Sequence, residues 1–388
     1  MHADRLREAE QSIWKARPHA VASTAVKAVT TLCTAVEAEI YLADYPMTFL
    51  IPVMSCLDPV RMDNTPAGHA FAAQRTIVEA PDGPAEGPCR THLPITVQGD
   101  RLGILTVSSA QELAAEELVV LSVIATVIAR ALKIADLGTD MYRRVRRRDR
   151  LTLAAEIQWE LLPGRSCRYD EYDLAGHLEP AYTVCGDSYD WAASAEKLTV
   201  TVSNGRGQGT PAALLTHLAV SAMRNARRSG SGLVDQATLA NEVICSQYGG
   251  DHSVATLLLE FDTTTGEARA VDAGSPQIWR MRGGKIDQIE LTAQMPLGMF
   301  HDTDFTEQRF TVEPGDRLVI ASDGVHGAVS PRGDRYGATA LTRALRRTRL
   351  QDPAEAVRSL TRSLLDHYED TELTDDAVFL CMDWTGRV

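Results

Sequence analysis

Two short stretches near the middle of the chain determine how the rest is interpreted: Cys185-Gly-Asp-Ser-Tyr-Asp190 and Asn204-Gly-Arg-Gly-Gln-Gly209. The first places two carboxylates in a strand-like setting. The second is a glycine-rich turn that leads into a helical pattern, and glycines let the backbone approach a bound ion or phosphate closely. Together they predict metal chemistry with oxygen ligands at the end of a sheet.

Three more aspartates occur where strands are predicted to begin or end. Asp323 follows the apolar segment Leu318-Val-Ile-Ala-Ser322, and Asp375 and Asp376 precede Ala377-Val-Phe-Leu380. Each aspartate alone is equally well explained by turn formation or helix capping. As a set without neighbouring His or Cys, they are the ligands that Mg²⁺ or Mn²⁺ prefers.

Composition limits the classes of protein that fit. A chain of 388 residues is long enough for two domains. The net charge of −13 argues against binding to nucleic acid or to an anionic membrane. The seven cysteines are scattered without a Cys-x-x-Cys pair, so neither a disulfide framework nor a thiolate zinc site is indicated. The charged N-terminus lacks a signal-peptide pattern, and the apolar run from Leu118 to Ala129 is too short to span a bilayer. We expect a cytoplasmic protein.

The N-terminal part predicts a small antiparallel sheet closed by a long helix. Alternating residues from His92 to Ser108 are interrupted at Gly99-Asp100, which is typical of a hairpin turn. Ser109-Ala-Gln-Glu112 predicts a capping box before the long helix, and the segment from Asp58 to Pro88 predicts surface loops. This pattern resembles a GAF sensor domain over residues 18 to 137.

A second helix is predicted from Met141 to Leu162, ended by Pro163-Gly164. Its apolar residues keep a helical period, which would suit a coiled-coil stalk in a homodimer. The helix also carries a basic run, which either binds nucleic acid or forms a solvated face, and we favour the solvated face. The run consists of Arg143, Arg144, Arg146, Arg147, Arg148 and Arg150.

From about residue 168 onward, short strands in antiparallel order predominate, with helix pairs at roughly 210–248 and 338–369. Such segregated helices indicate an α+β domain. The predicted strands are Tyr172 to His177, Leu198 to Val202, Ser253 to Phe261, Ala268 to Ala273, Ile278 to Met281, Ile286 to Leu291, Arg317 to Ala321 and Ala377 to Met382.

Motifs in order over residues 150 to 386 resemble the protein phosphatase 2C-like (PPM) serine/threonine phosphatases, specifically the bacterial SpoIIE/RsbU branch. The motifs are Ile157-Gln-Trp-Glu-Leu-Leu-Pro163, Cys185-Gly-Asp-Ser-Tyr-Asp190, Asn204-Gly-Arg-Gly-Gln-Gly-Thr-Pro-Ala-Ala213, Asp272-Ala-Gly-Ser275, Pro296-Leu-Gly298, Ser322-Asp-Gly324 and Asp375-Asp376. The resemblance implies an α-β-β-α sandwich. The expected organisation is a GAF-like domain at 1–137, a helical linker at 138–165 and a phosphatase domain at 166–388.

The resemblance also implies a site and a reaction. Two ions, Mn²⁺ or Mg²⁺, and an attacking water would hydrolyse a phosphoserine or phosphothreonine without a covalent enzyme intermediate. No cysteine is followed six positions later by arginine, so a thiolate phosphatase is not indicated. The implied substrate is a phosphorylated anti-anti-sigma protein of the STAS type in partner-switching signalling. By position, the catalytic and metal-binding residues would be Asp187, Asp323 and Asp375, with the carbonyl of Gly205 as a further ligand and Asp190 and Asp376 near the site.

One departure bears on activity. Asn204 stands where the family has its metal-bridging aspartate. As a neutral amide it can be a metal ligand through one oxygen but cannot bridge two cations with full charge. One of the two ions is therefore expected to bind weakly. Gln208, Cys185 and Ser275 also depart from the family's motifs. The alternatives to a phosphatase are a pseudophosphatase that acts as a binding module, and a GAF-type ligand sensor with an inert output domain.

Overall fold

The computed structural model describes residues 2–33, 35–79, 88–147, 151–181, 183–274, 276–369 and 371–387. Among the residues singled out in the sequence, Arg148, Arg150 and Ser275 lie outside this described part. The chain divides into two compact units, Met1–Arg150 and Leu151–Val388. The boundary falls inside the segment predicted to be a linker.

The N-terminal unit contains an antiparallel sheet with strand order β3-β2-β1-β6-β5-β4. The β5–β6 hairpin turns at Gln98 and Gly99, both with positive φ, where the sequence predicted a turn. In chain order, its elements are α1 (His2–Lys15), α2 (Val21–Leu32), β1 (Ala35–Ala43), β2 (Phe49–Pro52), β3 (Val60–Arg61), α3 (Pro66–Ala73), β4 (Ile77–Glu79), β5 (Cys89–Val97), β6 (Asp100–Ser109), α4 (Ala115–Ala135) and α5 (Met141–Arg146).

Alternate residues of β1 face two separate apolar clusters. Ile40 and Leu42 pack with α1, α2 and α4, whereas Tyr41 and Ala43 pack with α3. Within the described residues, α4 is long and apolar enough to cross a membrane by length and composition alone. A buried core helix passes the same test, and α4 contributes eight buried residues to the unit.

Two local predictions for this unit are wrong. The segment predicted as loops contains α3, which begins with Pro66 at its first turn and is capped by the Thr65 side chain, which accepts a hydrogen bond from the Gly68 N–H. The long helix starts at Ala115, beyond the predicted capping box, because β6 extends to Ser109. The cap is made instead by Glu117, whose carboxylate accepts the Ala114 N–H at 3.0 Å.

The single helix predicted from Met141 to Leu162 is also wrong. Two short helices occupy its described residues, and Arg147 between them has an extended backbone. The first helix is held by the N-terminal unit, since Tyr142 is buried there and Arg146 donates to the Ala43 carbonyl. The second begins anew at Thr152, whose hydroxyl accepts the Ala155 N–H. Apolar residues that were expected to line a coiled-coil stalk are therefore buried in the cores of the separate units.

The C-terminal unit contains two antiparallel sheets, with strand orders β15-β12-β11-β10-β9 and β14-β13-β16-β17-β8-β7. In chain order, its elements are α6 (Leu153–Leu161), β7 (Ser166–Arg168), β8 (Tyr172–Glu179), β9 (Ser188–Ala193), β10 (Lys197–Asn204), α7 (Gly209–Arg228), α8 (Leu233–Tyr248), β11 (Ala255–Asp262), β12 (Glu267–Ala273), β13 (Gln277–Arg282), β14 (Lys285–Ile289), β15 (Gln308–Thr311), β16 (Arg317–Ala321), α9 (Asp323–His326), α10 (Leu341–Arg347), α11 (Pro353–His367) and β17 (Ala377–Trp384).

The two sheets pack face to face, with helices on both outer faces. Val200 of the first sheet and Leu380 of the second belong to one apolar cluster between them. On the outer faces, Leu258 packs with α7 and α8, and Phe379 packs with α11. This is the α-β-β-α sandwich predicted from the sequence, and every strand predicted there is present.

Candidate functional site

Strand pairing brings the two opening motifs together where β10 ends and β9 begins. Ser203 pairs with Ser188, so Asn204 at the end of β10 lies beside Asp187 at the start of β9. The carboxylate of Asp187 accepts the N–H of Gly205 at 3.2 Å. A Cβ on Gly205 would lie 2.5 Å from the Cys185 carbonyl oxygen, so the close approach of the two loops requires glycine.

The second sheet supplies the other aspartates at the ends of its central strands β16 and β17. Ala321 pairs with Phe379 in antiparallel register, which places Asp323 after β16 next to the residues before β17. A Cβ on Gly324 would lie 1.9 Å from the Asp376 carbonyl oxygen, so these two chain segments are in direct contact. The site residues predicted from the sequence thus gather from both sheets.

The charges of neighbouring aspartates act on both Asp187 and Asp375. Burial raises the pKa of Asp187 well above its usual range, and the charges of Asp323, Asp376 and Asp375 raise it further, while a contact with the Ser322 hydroxyl acts in the opposite direction. Burial and then Asp323 raise the pKa of Asp375 to about 6. In the absence of a cation, neighbouring carboxylates resist ionisation together.

The donor set fits divalent cations that prefer oxygen. Asp187 is fully buried, and its Oδ2 has no hydrogen-bond partner within the described residues. No group of three or more His, Cys, Asp or Glu side chains in the described ranges is arranged to hold a single ion by itself. Mg²⁺ and Mn²⁺ sites commonly combine one or two carboxylates with carbonyl oxygens and water, so dispersed carboxylates remain compatible with such ions.

Asp376 anchors the loop beside the site. Its Oδ2 accepts the N–H groups of Cys185 and Gly186 at 2.8 and 2.7 Å, and that of Asp187 at 3.2 Å. Its Oδ1 accepts the Ala181 N–H at 2.8 Å. A carboxylate with this many donors is already saturated, so Asp376 positions the Asp187 loop.

Asp190 is engaged in ion pairs. Its carboxylate contacts Arg224 at 2.7 Å and Arg227 at 3.0 Å, with its own side chain only 3% exposed. It lies within β9 opposite Thr201. The structure therefore gives Asp190 a role in fastening α7 to the first sheet.

The sequence of the C-terminal unit matches a known family. Residues 194–385 match the family model described as stage II sporulation protein E (SpoIIE). Residues 194–385 therefore form a SpoIIE-type domain. Asn204, Asp323, Asp375 and Asp376 lie inside the matched range, and Asp187 lies just before it.

Two curated proteins are similar to the chain. Protein IcfG of Synechocystis is 21% identical over 255 residues, which cover 58% of this chain and 40% of IcfG. Phosphoserine phosphatase RsbU of Bacillus subtilis is 22% identical over 233 residues, which cover 60% of this chain and 69% of RsbU. The chain thus spans well under half the length of IcfG.

Solved structures agree on the fold. The SiaA-PP2C domain of Pseudomonas aeruginosa superimposes with a TM-score of 0.51 at 20% identity, covering 60% of this chain and 94% of that domain. The SpoIIE-type domain therefore has the PP2C fold, as the sequence motifs predicted.

Three of the residues that depart from the SpoIIE motifs lie in the described part of the structure. Asn204 is only 2% exposed, at the edge where the carboxylates meet. Burial raises the pKa of the Cys185 thiol to about 12, so this cysteine stays protonated and is no thiolate nucleophile. Gln208 is exposed and precedes the first residue of α7.

Sequence reasoning missed the role of Gln158. The SpoIIE-type motif that contains it was recognised without a function for any side chain. Gln158 is buried and donates from Nε2 to the Asp187 carbonyl and to Asp376 Oδ2, both at 2.7 Å. The sequence feature that could have revealed this role is a polar residue in an otherwise apolar helical stripe, which consists of Ala154, Ala155, Gln158 and Leu161.

Proposed function

We propose that the SpoIIE-type domain is a metal-dependent phosphoserine/phosphothreonine protein phosphatase. The observation that carries the proposal is the fully buried carboxylate of Asp187, which has an oxygen without a hydrogen-bond partner in the described residues. The charges of Asp323 and Asp375 act on this carboxylate and raise its pKa. The similarity to RsbU, which is named a phosphoserine phosphatase, supports the same class of reaction.

In this proposal Asp187, Asp323 and Asp375 bind Mn²⁺ or Mg²⁺, together with the Gly205 carbonyl and the side-chain oxygen of Asn204. The bound ions would polarise the phosphoryl group and lower the pKa of the attacking water. The chain itself positions the ligands. The ends of strands in both sheets hold the carboxylates, and glycines at 186 and 205 let the loops pack closely.

We propose as the substrate a phosphorylated STAS-type anti-anti-sigma protein in a cytoplasmic partner-switching pathway. The SpoIIE/RsbU resemblance supports this assignment, and the acidic charge of the chain fits a protein partner better than nucleic acid.

A pseudophosphatase remains the second candidate because of Asn204. With an amide in place of a bridging carboxylate, the weaker ion loses a charged ligand, and the domain would act by binding. Calorimetric titration with Mn²⁺ distinguishes the two, because about two ions per chain would contradict the pseudophosphatase.

Activity is tested on the full chain with p-nitrophenyl phosphate and a phosphoserine protein in the presence of Mn²⁺. A phosphatase hydrolyses both, and Asp187→Asn abolishes the reaction. Hydrolysis that is absent from the natural protein and gained by Asn204→Asp would show that this domain is a pseudophosphatase.

We propose that the N-terminal unit is a GAF-like domain that senses a small ligand. A cavity of about 420 Å³ supports it, lined by residues of β1, β5 and β6 and by the start of α3. Two polar side chains of this lining, Glu39 and His92, are more than nine-tenths buried. Native mass spectrometry of the purified protein should reveal a bound small molecule, and its absence after expression in several hosts would contradict the assignment.

We also propose a homodimer through the long helix α4. Its support is α4, which exposes Val119, Val123 and Ile134 on its outer face, with Leu137 just beyond its end. Sedimentation should give a dimer at micromolar concentration, whereas a monomer would remove the proposal.

A further inference from the structure

A buried glutamine joins α6 to the loop that carries Asp187. Gln158 is 2% exposed, and its amide nitrogen donates to the Asp187 carbonyl and to Asp376 Oδ2. Both partners are acceptors, so a flipped amide would place oxygen against oxygen twice. The orientation of the Gln158 side chain is therefore fixed by the loop and by Asp376 together.

The loop is held by hydrogen bonds and packing, because it has no regular secondary structure of its own. Residues 184–187 form no regular secondary structure, and Gly186 has a φ of +97°. Its backbone N–H groups converge on Asp376 Oδ2, the same oxygen that Gln158 contacts. A Cβ on Gly186 would lie 2.8 Å from the Ala212 carbonyl oxygen, so the loop also packs directly on α7.

The helix that carries Gln158 is docked by side chains around the same loop. Ala154 and Ala155 pack in one apolar cluster with Val184, which immediately precedes the loop, and with Ala213 of α7. At the other end of α6, Arg224 of α7 donates to the Leu161 carbonyl at 2.6 Å. Displacing α6 would thus remove an apolar neighbour and a hydrogen-bond donor from the loop.

We propose that Gln158 is a positioning residue that makes metal binding at Asp187 depend on the docking of α6. The proposal rests on the metal-dependent function proposed above. With α6 docked, the amide holds the Asp187 carbonyl and Asp376 in place, and the Asp187 carboxylate faces Asp323 and Asp375. Without that contact, the loop is free to turn the carboxylate away.

The test uses the full chain with Gln158→Met, which keeps the length and helix propensity of the side chain but removes both donors. Hydrogen exchange of the Cys185, Gly186 and Asp187 amides, measured with a chelator present, should become at least about tenfold faster. Mn²⁺ affinity, measured by calorimetry, should fall about 10- to 100-fold, the usual effect of losing a residue that orients a metal ligand. The control Leu153→Ala lies on the same helix, where its side chain is 65% exposed, and should change neither quantity.

A second variant separates positioning from general loosening. Gln158→Glu keeps size and polarity but places a carboxylate against Asp376, so loop exchange should be faster still at pH 7.5 than in Gln158→Met. Unchanged loop exchange in both variants would overturn the proposal, as would equal acceleration throughout α7 and β10. If the natural protein binds no Mn²⁺, the metal-dependent function fails, while the exchange measurement still decides whether Gln158 positions the loop.

Discussion

The raised pKa of Asp375 predicts an unusual stability profile for the metal-free protein. Its folded-state pKa is about 6, against ~3.9 in an unfolded chain. Between these values the folded protein binds more protons than the unfolded chain, so the free energy of unfolding falls as pH rises from ~4 to ~6. Above that range the full penalty of the ionised carboxylate is present.

The size of the effect follows from the shift. About two pKa units at ~1.4 kcal/mol each give an upper limit of ~3 kcal/mol. Asp375 is only partly buried, and solvent screening reduces this to about 2 kcal/mol. Asp375→Asn removes the charge and keeps an oxygen for the bond now donated by the Asp376 N–H at 2.9 Å. We therefore expect the variant to be about 2 kcal/mol more stable at pH 7.5 and less than about 1 kcal/mol more stable at pH 4.5.

The assay is urea unfolding with a chelator present, followed by tryptophan fluorescence. Trp159, Trp191, Trp279 and Trp384 lie in the C-terminal unit and Trp14 in the other, so the signal reports chiefly on the domain with the site. Adding Mn²⁺ should reverse the order, because only the natural protein keeps the ligand. The exposed Asp302→Asn serves as the control. A stability difference that is the same at both pH values would refute the reasoning.

Three further outcomes are expected. Asn204→Asp should bind its weaker Mn²⁺ at least about tenfold more tightly, and should be less stable without metal because a fourth carboxylate joins the cluster. Calorimetry measures the affinity, and unfolding with and without Mn²⁺ measures the stability. An unchanged affinity would show that Asn204 is no ligand. Gly324→Ala should cost about 3 kcal/mol, because its Cβ would meet the Asp376 carbonyl oxygen at 1.9 Å; an unaltered urea midpoint would contradict this. Arg317→Met, at the opposite end of β16, should cost about 2 kcal/mol, because it removes the ion pair with the partly exposed Asp383 and the bonds donated to two backbone carbonyls. Mn²⁺ affinity should remain unchanged in calorimetry.

The sandwich was predictable because its strands are apolar, short and separated by strong turn signals. Asp323 and Asp375 could be placed at strand ends from local sequence alone, and antiparallel pairing of β16 and β17 then made them neighbours. The assignment to the SpoIIE family required ordered motifs in addition, since each aspartate alone fits an ordinary turn.

The missed features depend on contacts between distant residues. The resemblance placed Asp376 only near the site, and no local pattern shows that its oxygens accept five donors. The break in the helix predicted from Met141 to Leu162 has the same origin, because Tyr142 is buried in one unit and Leu161 in the other. Helical periodicity continues through such a boundary although the helix does not.

The anchoring of the loop by Asp376 has a consequence for the order of events during folding. The bond from the Cys185 N–H to Asp376 joins residues separated by 191 positions, and the Gln158 contact spans 218. A nascent chain in which β17 has not yet emerged from the ribosome has α6 and the loop but lacks Asp376, the acceptor of the loop's N–H groups. In the proposed metal-dependent phosphatase, capture of the metal would therefore be a late step of biogenesis. Stalled chains that end before residue 375 should be unable to retain Mn²⁺.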